Sequence, residues 1–121
     1  MPEAGQGKAI NEQRAALLRA VGDAIVGADG ELAPELRAAI VARAGGLAGR
    51  PVAAGAELPA PLAACADKVA TRAYAVTDHD IEALRTAGYG DDAILETILS
   101  TAAGAGLARL TIGLAALDGK G

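Results

Sequence analysis

The 121 residues contain no phenylalanine and no tryptophan, and tyrosine occurs only at Tyr74 and Tyr89. The core must therefore be assembled from Leu, Ile, Val and above all Ala, side chains that each remove little area from water. Side chains this small favour close packing of helices. The chain is nevertheless 52% hydrophobic and 21% charged, with a mean hydropathy of +0.30. A disordered chain lacks that much apolar surface to offset its ordering entropy, so a folded domain is expected. At this length it is one domain, because two halves would each bury too little.

The formal charge of −4 and a pI near 4.9 argue against a nucleic-acid partner, since counterion release needs clustered Lys and Arg. The single cysteine, Cys65, cannot form an intramolecular disulfide or supply a multi-cysteine metal cluster. No metal or cofactor is expected, and the compartment implied is the cytoplasm. Residues 1–10 are polar and Gly-bearing, with no apolar stretch behind a basic start, and read as a flexible tail rather than a secretory signal. Glu96 and Arg109 interrupt the most apolar segment, and the uncharged run between them is too short to cross a bilayer.

Periodicity then divides residues 11–121 into five helices. Leu17, Leu18, Val21 and Ile25 mark the first, with Asn11 at the N-cap position and a break at Gly27-Ala28-Asp29-Gly30. Pro34 opens the second, which carries Leu36, Ile40, Val41 and Ala44 and ends at Gly45-Gly46. The stretch 45–57 has no period and reads as a loop. The third starts near Pro59 or Pro61, with Leu62, Cys65, Ala66, Val69, Ala73 and Val76 on one face. Thr77 and Asp80 have capping-box spacing for a short fourth helix that Gly88 closes. Asp91 and Asp92, well placed against a helix dipole, begin a fifth that runs to about Leu117.

The fifth helix is apolar nearly all round, which predicts a central position. Gly104 and Gly106 each cost helix propensity, so they imply a close crossing that a side chain would block. With no alternating runs and no hairpin signal, the fold class is all-α, a single-domain bundle. Helix four, its turn and helix five have the outline of a helix-turn-helix. The second element begins Asp91-Asp92 and is apolar thereafter, so it would repel phosphate and offer little to base edges.

Few residues offer chemistry. Glu96 falls on the same line of helix five as Leu114 and close to Leu107. It is either a partly buried carboxylate suited to proton transfer or an acid near the helix start that reaches water or an arginine. His79, between Asp78 and Asp80, is either an imidazole oriented for proton transfer or part of a solvated first turn. Arg109 would bind an anionic substrate or pair with an acid across a subunit interface. Tyr74 and Tyr89 flank helix four, as lids of a pocket or as amphipathic rings at its edges. Cys65 lies on the core stripe of helix three and reads as a small buried hydrophobe rather than a nucleophile.

The stretch Ala73 to Glu96, with Ala87-Gly88-Tyr89, the acidic Asp91-Asp92 start and the Ala/Gly-rich helix behind it, resembles the carboxymuconolactone decarboxylase and alkylhydroperoxidase D-like superfamily. The likeness covers about the C-terminal half. It implies an alkylhydroperoxidase D-like helical fold and assembly into trimers, hexamers or larger rings. Redox members carry Cys-x-x-Cys-x-x-x-His ahead of the glycine. Counted back from Gly88, those places fall on Ala73, Val76 and Asp80, or, one residue earlier, on Arg72, Ala75 and His79. Neither register holds a thiol pair, so peroxidase and disulfide-reductase activity are not expected. A non-redox homo-oligomer acting as a structural or interaction protein is the leading expectation. The alternatives are a cofactor-free enzyme of decarboxylase or lactone type, with His79 or Glu96 moving the proton, and a binder of a small hydrophobic or acidic metabolite.

Overall fold

The computed structural model describes residues 4–49 and 57–117, with side chains from Glu12 onward. The five helices are α1 (Ala4–Gly27), α2 (Pro34–Leu47), α3 (Ala60–Arg72), α4 (Asp78–Thr86) and α5 (Asp91–Leu117), and a single 3-10 turn, Ala73–Ala75, follows α3. No strand occurs among the described residues, and the all-α expectation holds. Two starting signals need correction. The first helix begins at Ala4, inside the stretch expected as a tail, and Asn11 lies within it rather than at its N-cap. Of the expected 45–57 loop, residues 45–47 are still helical and 50–56 lie outside the described residues.

The other boundaries follow from the residues that mark them. Pro34 and Pro61 sit in the first turns of α2 and α3, where a missing N–H costs nothing. The Thr77/Asp80 capping box is formed at the start of α4. At its end Gly88, with φ of 100°, donates to the Arg85 carbonyl at 2.9 Å, and Tyr89 N–H donates to the Leu84 carbonyl at 3.1 Å. That pair of bonds is the Schellman arrangement. Its apolar partners, Leu84 and Tyr89, pack into the cluster of Leu62, Cys65 and Ile94. The α3 stripe ends earlier than its period suggests, because the backbone turns at Arg72 and leaves Ala73 exposed.

As expected, α5 is central and touches all four other helices, α2 most extensively. The crossing is close: a Cβ on Gly104 would lie 2.3 Å from the Val41 carbonyl oxygen. Gly106 does not share that role, since nothing lies within 4 Å of where its Cβ would be. The side of α5 facing the core is built from Ala93, Ile94, Thr97, Ser100, Thr101, Gly104, Ala105 and Ala108. Thr97 and Thr101 return their hydroxyls to the Ala93 and Thr97 carbonyls at 2.8 and 2.7 Å, which lets polar side chains sit in a dry interface. Counted as a whole helix rather than by its longest uncharged run, α5 is long and apolar enough to cross a membrane. Here one side of it is occupied by α2 and α3.

Candidate functional site

Three charged side chains tie helix ends to distant parts of the chain. Glu96, half-buried in the second turn of α5, accepts hydrogen bonds from the backbone N–H groups of Glu31 at 2.9 Å and Leu32 at 3.2 Å. The carboxylate thereby holds the turn between α1 and α2. Gly30 makes the approach possible, because a Cβ there would sit 2.0 Å from Glu96 Oε1. Arg37 is only 4% exposed and donates from Nη1 to the Ile25 carbonyl at 3.0 Å. That carbonyl belongs to the last turn of α1, whose oxygens have no partner within the helix and carry the negative end of its dipole. Arg109 does the same for α3, donating from Nη2 to the Ala70 carbonyl at 2.8 Å.

Of the two readings of Glu96, the half-buried position agrees with the partly buried carboxylate, and its partners within the chain are backbone N–H groups; the partner of Arg109 is a carbonyl of its own chain. His79 is exposed in the first turn of α4. Its neighbour Asp80 is the more engaged group: Oδ2 accepts from Lys68 Nζ and from the Thr77 N–H, both at 2.8 Å. The Lys68 ammonium and the Thr77 N–H hold the Asp80 carboxyl down to about 2. Tyr74, in the 3-10 turn, is 88% exposed, whereas Tyr89 is half-buried against the core. Among the described residues no hydrogen bond or ion pair joins any two of His79, Glu96, Arg109, Tyr74 and Tyr89. Cys65 is buried as expected, and burial, with the Asp80 charge behind it, pushes its thiol pKa up. A raised thiol pKa leaves little thiolate to react.

A cleft of about 260 Å³ opens beside Glu96, lined by Asp29, Gly30, Glu31, Asp92, Leu95, Glu96 and Leu99. Its four carboxylates and two exposed leucines suit a neutral or cationic guest and repel an anionic one. No group of three or more His, Cys, Asp or Glu among the described residues is arranged to hold a metal ion. The contributions of Asp29 and Glu31 were not visible in the sequence. The signal for them is Gly30, flanked by two acids in a turn where only a residue without Cβ admits the Glu96 carboxylate.

A row of exposed, mostly apolar residues runs along α5 itself. Leu95, Leu99, Ala102, Gly106, Leu110, Gly113 and Leu117 are all exposed. At 100° per residue they fall within an arc of about 80°. Leu99 is 55% exposed and Leu117 79%. Leu17 and Val21 of α1 are exposed as well. Comparison with models of known protein families, with characterised proteins and with solved structures finds no match to this chain.

Proposed function

We propose that this chain is a non-redox, carboxymuconolactone decarboxylase-like helical protein of the cytoplasm that works as an oligomeric structural or interaction protein. The observation that carries the reading is the exposed leucine stripe of α5. A monomer leaves this long apolar surface in water, and such surfaces mark interaction sites. The lone thiol at Cys65 is buried and has its pKa raised, which supports the non-redox half of the proposal. The turn at Gly88 and the acidic start of α5, the residues on which the family likeness rests, lie at the end of α4 and the beginning of α5.

A second reading, a cofactor-free enzyme or a small-molecule binder, draws on the cleft beside Glu96. In that reading Glu96 would give up its bonds to Glu31 and Leu32 to act on a guest, with His79 exposed and elsewhere. Native mass spectrometry of the purified protein separates the readings. The expected result is a trimer, hexamer or larger ring without a stoichiometric adduct. A retained small molecule moves the assignment to the cleft, and a bare monomer at micromolar concentration overturns the assembly.

A further inference from the structure

We infer that α5 pairs with α5 of a second copy in antiparallel fashion, across a two-fold axis at Gly106. This rests on the reading of the stripe as an assembly surface and specifies its geometry. From Leu95 the exposed positions step by four, three and four residues to Gly106, and by four, three and four again to Leu117. The spacing is the same read in either direction from Gly106. Any helix face offers such symmetry, so the axis is selected by residue size: in an isologous interface residue i must meet j while j meets i.

The sizes agree with the spacing. Inverting the helix about Gly106 sets Leu99 opposite Gly113 of the second copy and Leu110 opposite Ala102, so each of these leucines faces a residue small enough to receive it. Leu95 meets Leu117 at both ends, and Gly106 meets itself at the axis. Nothing of its own chain lies within 4 Å of a Cβ on Gly106. The glycine, which costs helix stability and relieves no crowding within the monomer, is accounted for by a close approach of two helices at that point. A parallel pair would instead set leucine on leucine and leave facing gaps at Ala102, Gly106 and Gly113. An anionic membrane surface is a poorer occupant, because Asp91 and Asp92 stand at one end of the stripe and the chain carries a net −4.

Three cysteine variants test the geometry under mild oxidation, with the wild type as control because its Cys65 is buried. Gly106→Cys is expected to crosslink to itself, since glycine-faced helices bring the two positions within disulfide reach. Leu95→Cys is expected not to, because its two copies lie about 33 Å apart at 1.5 Å per residue. A mixture of Leu95→Cys and Leu117→Cys chains is expected to give the crosslinked heterodimer. Gly106→Leu fills space that is open in its own chain, so it should keep helical circular dichroism and lose the assembly. Of the assemblies expected above, the hexamer fits this pairing and the trimer does not, so native mass should be an even multiple of the chain.

A trimer, or self-crosslinking of Leu95→Cys, overturns the antiparallel pairing while leaving the oligomeric reading intact. A wild-type monomer overturns both. A monomer that sediments with anionic phospholipid vesicles assigns the stripe to a lipid surface and likewise overturns both.

Discussion

The two sides of α5 invert the usual distribution of residues. Toward α2 and α3 the helix presents one large apolar side chain, Ile94, and otherwise Thr97, Ser100, Thr101, Gly104, Ala105 and Ala108, while Leu95, Leu99, Leu110 and Leu117 face solvent. The buried side wins by proximity. With Gly104 over the Val41 carbonyl, backbones rather than long side chains make the contact, and the hydroxyls of Thr97 and Thr101 are satisfied within their own helix. The exposed side holds the bulk that the monomer cannot use. A chain without Phe or Trp that makes its core from thin layers has leucines left over, and these are available for a second interface.

The strongest way to break this contrast is Gly104→Ala. Its Cβ meets backbone, which cannot swing aside, so overpacking should cost about 3 kcal/mol, read as a lower urea midpoint. An unchanged midpoint would mean that the crossing is looser than described. Glu96→Ala comes next. Removing the acceptor for Glu31 and Leu32 N–H should lose about 2 kcal/mol and free the turn between α1 and α2, visible as faster amide exchange at those two residues. Full protection after the substitution would show that the turn holds itself.

Two substitutions should stabilise the fold. Ser100 Oγ is buried with no hydrogen-bond partner among the described residues, so Ser100→Ala should gain about 1 kcal/mol in thermal or urea unfolding. In the dissociated chain, measured below the concentration at which it assembles, Gly106→Ala should gain up to about 1 kcal/mol, since its Cβ meets nothing of its own chain within 4 Å and alanine is the better helix former. Opposite signs for alanine at positions 104 and 106 are the sharpest statement of the difference between the two sides.

The smallest effect is one of pH. Asp80 is held down to about 2, below its ordinary value of 3.8. A depressed carboxylate stabilises the fold above its unfolded pKa and loses that contribution as pH falls from about 4 toward 2. Asp80→Asn should remove this part of the acid transition while leaving stability near neutrality only slightly changed, because the group is close to solvent. An acid limb identical to that of the wild type would place the linkage elsewhere.

Most helix limits were legible in the sequence because single residues impose them locally: Pro34, Pro61, the Thr77/Asp80 pair, Gly88 and the Asp91-Asp92 start. The side of α5 that would be buried was not legible. A helix apolar all round gives no preferred direction, and the rule that leucine goes inside points the wrong way here. Arg37 escaped notice because an arginine in a first turn reads as surface, whereas its partner is the exposed end of another helix. The partners of Glu96 lie on the far side of α2, α3 and α4 in the chain, and periodicity carries no information about such distant pairings. Its placement on an apolar line was readable; the loop it holds was not.

The crossing at Gly104 also bears on the order in which the fold is acquired. Val41 and Gly104 are about half the chain apart, and the α2 to α5 contact is the most extensive between the described helices. During synthesis α2 emerges long before the helix that covers it. The apolar surface of α2 thus waits, and closing so long a loop before its main contact forms makes this a slower folder than an up-and-down bundle of the same size. A nascent chain halted before Gly104 would have its helices but not the surface on which they settle.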